Sequence, residues 1–160
     1  MVTFKKILCP TDFSDASYKA IEIANGLALK LKARLYLLHV MQDIPPLILS
    51  TSAPVGLPSA APPPLAFDVK AYRAEQKKQT KSSLDDVIKK KISKKLKVQA
   101  ITTCGSAVDE IVRIAKKQKI DLIVIATHGR SGFKHLLLGS VTEKVVRLSS
   151  CPVLTVRHGR

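Results

Sequence analysis

Tryptophan is absent, and aromatic side chains make up only 4% of the 160 residues. Stacking platforms for unpaired bases are therefore scarce, which weighs against single-strand recognition. Cysteine is sparse too: Cys9, Cys104 and Cys151 stand far apart. They form no CxxC pair and no Cys/His cluster at zinc spacing, and their odd number argues against a disulfide framework. The expectation is three small, reduced core residues in a cytoplasmic protein. Acidic side chains are few, 12 against 27 Lys and Arg, which leaves a net charge of +15. Such a field favours anionic partners without choosing among nucleotides, nucleic acid and acidic membrane surfaces. Long apolar runs are missing as well. Leu122–Ala126 is strand-sized, far short of the roughly 18–20 residues that span a bilayer. Met1–Pro10 holds no stretch fit for a signal peptide, so no membrane partner is expected.

What is present is an alternation of strands and helices. Phe4–Cys9 reads as a strand stopped by Pro10. Asp15–Lys32 carries the stripe Ala16, Ala20, Ile23, Ala24, Leu27, Leu31, whose spacings of three and four predict one apolar helix face, with Ser14 as N-cap. Ala33–Val40 and the weaker Val98–Thr103 read as strands. Val108–Lys119 reads as a helix with Val108, Ile111, Val112 and Ala115 inward and Ser106-x-x-Asp109 as its cap. Asp121–Thr127 is a continuous β-branched run, as in a strand covered on both faces. Val141–Leu148 is a short helix and Pro152–Arg157 a last strand. The order β-α-β-(insert)-α-β-α-β-α-β predicts an α/β fold of right-handed units on a parallel sheet. Ligands of such sheets bind outside the carboxyl ends of the strands. Two loops there stand out, Pro10–Ser14 and Ala126–Ser140.

One domain spans residues 1–160, interrupted by a proline-rich insert at about 43–66. Seven of the nine prolines fall between Pro45 and Pro64. That composition predicts a mobile surface segment, either a cover for a ligand or an untied loop. A long helix, Asp68–Leu96, follows, with Tyr72, Leu84, Val87, Ile88 and Ile92 inward. Between Asp68 and Lys97 stand eleven Lys/Arg and four Asp/Glu, a local net of +7. Those lysines make a solvated face, an anion-binding surface that nucleic acid would fit, or the charged surface common in proteins that work hot.

The segment richest in chemistry is Ala126–Ser140. It begins at a buried strand end and finishes at a helix N-terminus, where unpaired N–H groups and a partial charge of about +0.5 favour phosphate. Gly129 and Gly139 lack Cβ, so the backbone there can approach phosphate oxygens or take positive φ. Ser140 brings a hydroxyl and an N–H, Val141 and Thr142 bring further N–H groups, and Arg130 and Lys134 bring charge. Ser140-x-x-Glu143 is also a capping box, in which Ser140 serves only its own helix. His128 on its own reads as an ordinary loop histidine. Neither GxxxxGK[ST] nor GxGxxG occurs.

The spacing Ala126-x2-Gly129-x9-Gly139-Ser140 resembles the G-x2-G-x9-G-[S/T] loop of the ATP-binding members of the universal stress protein family. Ile7-Leu8-Cys9-Pro10-Thr11-Asp12-Phe13-Ser14 is similar to that family's opening strand and Asp loop, and Cys151-Pro152-Val153-Leu154-Thr155-Val156 to its last strand. The one departure is Ala126 at the first glycine position. The resemblance implies an open five-stranded parallel sheet of Rossmann-like order with helices on both faces, and a homodimer paired through strand 152–157. It further implies that Pro10 and Asp12 meet the ribose and that Val40 offers backbone atoms to adenine. Gly129, Arg130, Gly139, Ser140, Val141 and Thr142 would hold phosphates. Thr11, Ala126 and His128 belong to the same nucleotide-binding loops. The ligand would be ATP, or AMP or ADP, with Mg2+ or Mn2+ bridging phosphate oxygens.

Three functions are then in play. A nucleotide-dependent regulatory protein would present a surface that an unknown protein partner reads. A slow ATPase or phosphotransferase needs a positioned nucleophile, for which His128 and Asp12 are the nearby candidates. A nucleic-acid-binding protein would use helix 68–97.

Overall fold

Strand β1 (Lys6–Pro10) enters the core at once: its last four residues are buried. Helix α1 (Asp15–Leu31) returns across the sheet, β2 (Arg34–Met41) pairs beside β1, and α2 (Val69–Lys91) leads to β3 (Val98–Cys104). Helix α3 (Ala107–Gln118), β4 (Leu122–Ala126), α4 (Ser140–Leu148) and β5 (Val153–Val156) complete the alternation. The computed structural model describes residues 3–42, 68–127 and 139–157. The proline-rich insert predicted at 43–66 lies outside the described residues, as do His128, Gly129 and Arg130.

The five described strands form one sheet in the order β3-β2-β1-β4-β5, and every neighbouring pair is parallel. Each crossover carries a helix, so both faces of the sheet are covered. Alternation along a strand divides the core. Ile7, Cys9, Leu35, Leu37, Leu122 and Val124 pack with α1 and with Leu84, Val87 and Ile92 of the α2 end. Leu8, Tyr36, Leu38, Ile123 and Ile125 pack with Ile111, Ile114 and Val145 of α3 and α4. At the amino-terminal edge Asp121 fixes the register of β1, its Oδ2 accepting from the N–H groups of Lys5 (2.8 Å) and Lys6 (2.9 Å).

Several details differ from the sequence expectations. In α1 the buried set includes Ile21 and Ala28, while Leu31 is exposed. The packed face is the one that carries Ala16, Ala20, Ile21, Ala24 and Ala28. Helix α2 ends at Lys91, not Leu96, and Tyr72, expected to face inward, is exposed. Ser106 sits at the N-cap of α3 without a side-chain cap bond. Of the cysteines only Cys9 is buried; Cys104 is exposed at the end of β3, and Cys151 is half-buried.

Burial pushes the Cys9 thiol from its usual 9.0 up to about 12. Between these values the unfolded chain releases a proton that the folded chain retains. The Cys9 contribution is therefore intact below pH 9 and declines above it, by up to about 1.4 kcal/mol per pH unit. Subtracting the alkaline stability profile of a Cys9→Ala variant from that of the wild type isolates this slope from lysine titration. A difference curve that is flat from pH 9 to 11 would refute it. Thiol reagents should accordingly modify Cys104 first and Cys9 only on unfolding.

Candidate functional site

The chain order of the strands reverses direction between β1 and β4, and a cleft opens at their carboxyl ends, where such sheets bind ligands. Between the described residues it is open to solvent and measures about 140 Å³, below the roughly 300–1,000 Å³ usual for a complete small-molecule site. Pro10, Thr11 and Asp12 line one side, Ala126 and Val141 the other. Leu38, Val40, Ile111, Ile125 and Ala107 add an apolar wall, and Ser17 stands at the α1 side.

The Asp loop is a tight turn held from several directions. The Thr11 N–H donates to the Leu38 carbonyl oxygen (2.8 Å), extending the β1–β2 ladder by one bond. Phe13 then turns with φ 63°, a left-handed conformation that costs about 1 kcal/mol or more in a bulky residue. Four contacts hold it. The Phe13 N–H donates to Thr11 Oγ1 (3.1 Å), Ser14 N–H and Oγ donate to Asp12 Oδ1 (3.1 and 2.6 Å), and the Phe13 ring stacks on His39 with centroids 4.5 Å apart. His39 Nδ1 in turn donates to the Thr11 carbonyl oxygen (2.8 Å). Ser14 caps α1, its Oγ accepting from the Ser17 N–H (3.3 Å). The Thr11 hydroxyl is buried against Ser17 Oγ (2.9 Å). Thr11 thus shapes the turn through its side chain, and Asp12 stands at the cleft wall.

Across the cleft, α4 starts without a side-chain cap. Its N-cap is Gly139, and Ser140 is already the first helical residue, exposed. The capping-box reading of Ser140 is therefore corrected: with Gly139 at the N-cap, Ser140 does not cap its own helix and no box forms. Gly139 has φ −68°, so positive φ is not what glycine supplies there. Its N–H donates to the Thr127 carbonyl oxygen (2.7 Å), and the Glu143 N–H closes the first helical bond onto Gly139 (3.0 Å). The N–H groups of Ser140, Val141 and Thr142 have no helical carbonyl to bind, as in every helix start. Thr142 is buried, and its Oγ1 donates to the Ala126 carbonyl oxygen (2.7 Å). That bond ties α4 to the end of β4 and leaves Thr142 only its N–H to offer a ligand.

Of the residues named from sequence, Pro10, Thr11, Asp12, Val40, Ala126 and Val141 line one cleft. Gly139, Ser140 and Thr142 stand in the same first turn as Val141. Leu38, Ala107, Ile111 and His39 were not named as site residues from sequence. Ala107 had a signal. It follows the third strand end, after Gly105, whose φ of 136° only glycine adopts freely. Leu38 and Ile111 had none, because from sequence they are ordinary core residues.

The universal stress protein family model matches residues 3–157. Universal stress protein YxiE of Bacillus subtilis is 36% identical over 154 residues, covering 96% of this chain and 99% of its own. Universal stress protein MJ0577 of Methanocaldococcus jannaschii is 31% identical over 168 residues, covering 98% and 97%. The solved structure of MJ0577 superposes with a TM-score of 0.80 at 29% identity, covering 99% of both chains. Two less similar solved structures share the fold. One is a universal stress protein in complex with cAMP, with TM-score 0.62, 22% identity and coverage of 97% and 98%. The other is the Archaeoglobus fulgidus protein in complex with dAMP, with TM-score 0.58, 18% identity and coverage of 97% and 98%. This chain belongs to the universal stress protein family.

Proposed function

We propose that the protein binds ATP in the cleft between β1 and β4 and acts as a nucleotide-dependent regulatory protein of the stress response. The observation that carries the reading is the meeting of the Asp12 turn and the uncapped start of α4 across one apolar-walled cleft. The adenine base fits the wall of Leu38, Val40, Ala107 and Ile111, the ribose meets Pro10 and Asp12, and the phosphates meet the N–H groups of Ser140, Val141 and Thr142. Gly129, Arg130 and His128 complete the phosphate loop in this reading. The cAMP and dAMP complexes of the structural neighbours support an adenine nucleotide as the ligand class.

The helix ends add to this electrostatically. In a parallel sheet the crossover helices run antiparallel to the strands, so their N-termini gather at the carboxyl edge. Those of α3 and α4 contribute Ala107 and Val141 to the cleft, each carrying a partial positive charge of about half a unit. Among the described residues no group of three or more His, Cys, Asp or Glu is placed to hold a metal ion. Mg2+ or Mn2+ fits the cleft as a companion of the nucleotide, coordinated by phosphates and water as Mg2+ commonly is. There it would neutralise phosphate charge. The reading is of binding: Asp12, the described candidate base, already accepts two hydrogen bonds from Ser14.

Calorimetric titration with Mg-ATP tests this. Saturation at a hundred times Kd adds about 2.7 kcal/mol of stability, a rise in Tm of about 5–10 °C for a chain of this length. No heat and no thermal shift at millimolar ATP would remove the proposal.

The same reading includes a homodimer through β5, in a cytoplasmic protein. Its support is an exposed sheet edge with Leu154 beside it and Val146 and Leu148 exposed on α4. Leu154→Arg should halve the sedimentation mass. A wild type that already sediments as a monomer would end this part.

A further inference from the structure

Helix α2 is longer than the sheet it crosses. Its 23 residues extend about 34 Å, while the seven residues of β3 extend about 23 Å. Its C-terminal half is docked: Leu84 and Val87 are buried, Lys91 pairs with Glu22 (3.3 Å), and its Nζ lies 5.1 Å from the centre of the Tyr18 ring. No residue from Val69 to Gln79 is buried. Because α2 runs antiparallel to the strands, these first three turns project past their carboxyl ends.

Along this overhang Lys70, Arg73, Lys77 and Lys81 follow one another at spacings of three, four and four, which places them in one stripe. The stripe continues the row that holds Leu84, three residues on, so it prolongs the docked side of the helix past the body. All four residues are exposed, and the side chains of Lys70, Lys77 and Lys81 form no ion pair among the described residues. Glu75 is the single carboxylate within Val69–Lys81.

We propose that this overhanging stripe, with Lys70, Lys77 and Lys81 as its phosphate-binding cations, is a docking surface for the phosphate backbone of duplex nucleic acid, read without regard to base sequence. Charge selects the occupant. A second copy of the chain would bring its own +15, and residues 43–67 carry one carboxylate, Asp43. A membrane surface calls for an apolar face opposite the cations. The overhang has none: Tyr72 and Val69 stand apart among Ala, Gln and Glu. Length fits as well. From Lys70 to Lys81 the stripe runs about 16 Å, enough to cross a major groove about 12 Å wide and reach phosphates on both sides. The scarcity of aromatics points to paired rather than unpaired strands. The proposal is independent of the ATP reading.

The test is fluorescence anisotropy with a labelled random-sequence DNA duplex, titrated across salt concentrations. Three phosphate contacts predict a log–log salt slope of about −2.7, or a loss of about fortyfold in affinity between 50 and 200 mM salt. Replacing Lys70, Lys77 and Lys81 together by Gln should flatten the slope and abolish binding at low salt, with the helical circular dichroism unchanged. A control replaces Lys89, Lys90 and Lys94 by Gln, removing equal charge from the docked end, and should retain most of the affinity. Equal loss in both variants would reduce the effect to net charge and overturn the proposal. So would absence of duplex binding, or tighter binding to phosphatidylserine vesicles than to the duplex.

Discussion

An Ala107→Trp protein should keep its fold and lose its nucleotide, with ATP affinity falling at least about thirtyfold and Tm moving by no more than about 2 °C. Ala107 is the first residue of α3, half-buried, and its methyl lines the cleft. Ala107 lines the space where the adenine is proposed to lie, so an indole at that position competes with the base. A tryptophan presents on the order of 200 Å² of surface, far more than the methyl it replaces. The substitution removes no hydrogen bond, because Ala107 makes none with its side chain and its N–H belongs to an uncapped helix start. Calorimetry and a thermal melt on the same preparation decide the matter. Wild-type affinity with an intact fold would place the nucleotide elsewhere. A collapsed melt would instead mean that the position is part of the core.

Leu37→Ala is expected to do the opposite. Leu37 is fully buried on the α1 side of the sheet, in a cluster with Ile7, Cys9, Leu35 and Val124. Truncation removes its transfer free energy and leaves a cavity, at a cost of about 3 kcal/mol or more. That corresponds to about 6–12 °C in Tm for a chain of this length. Its neighbour Leu38 faces the other cluster and the cleft. Measured well below the melting transition, ATP affinity of the Leu37→Ala protein should stay within about threefold of the wild type. A large loss of affinity would mean that the two faces of the sheet are coupled, so that the cleft is shaped from both sides. The pair of variants therefore separates stability from binding along a strand in which adjacent residues serve different ends.

The alternation of strands and helices was legible because each element carries its own period. The continuous apolar run of β4 announced burial on both faces, and all five of its residues are buried. The two strand ends that open on the cleft, those of β1 and β4, were legible for a related reason: parallel topology sends all strand ends to one edge. What was not legible was orientation about the helix axis. In α1, Ile23 and Leu31 share a helical stripe with Ala20 and Ala24, yet Ile21 is the fully buried isoleucine. In α2, Tyr72 was placed inward with Leu84 and Val87, yet it is exposed. Periodicity gives a face; it does not give the surface that the face meets.

By itself, then, the sequence determined the order of elements, the parallel sheet, and Asp12 and Gly139–Thr142 as parts of one candidate site. These follow from local spacing and from the chirality of βαβ connections. Only the tertiary structure decided that Leu38, Ala107 and Ile111 form the cleft wall, since β2 and α3 lie far apart in the chain. It alone decided that Ser140 is inside α4 and not its cap, because the bond from the Gly139 N–H to Thr127 fixes where the helix begins. And it alone turned a lysine-rich helix into an overhanging basic stripe, since that depends on where the sheet beneath it stops.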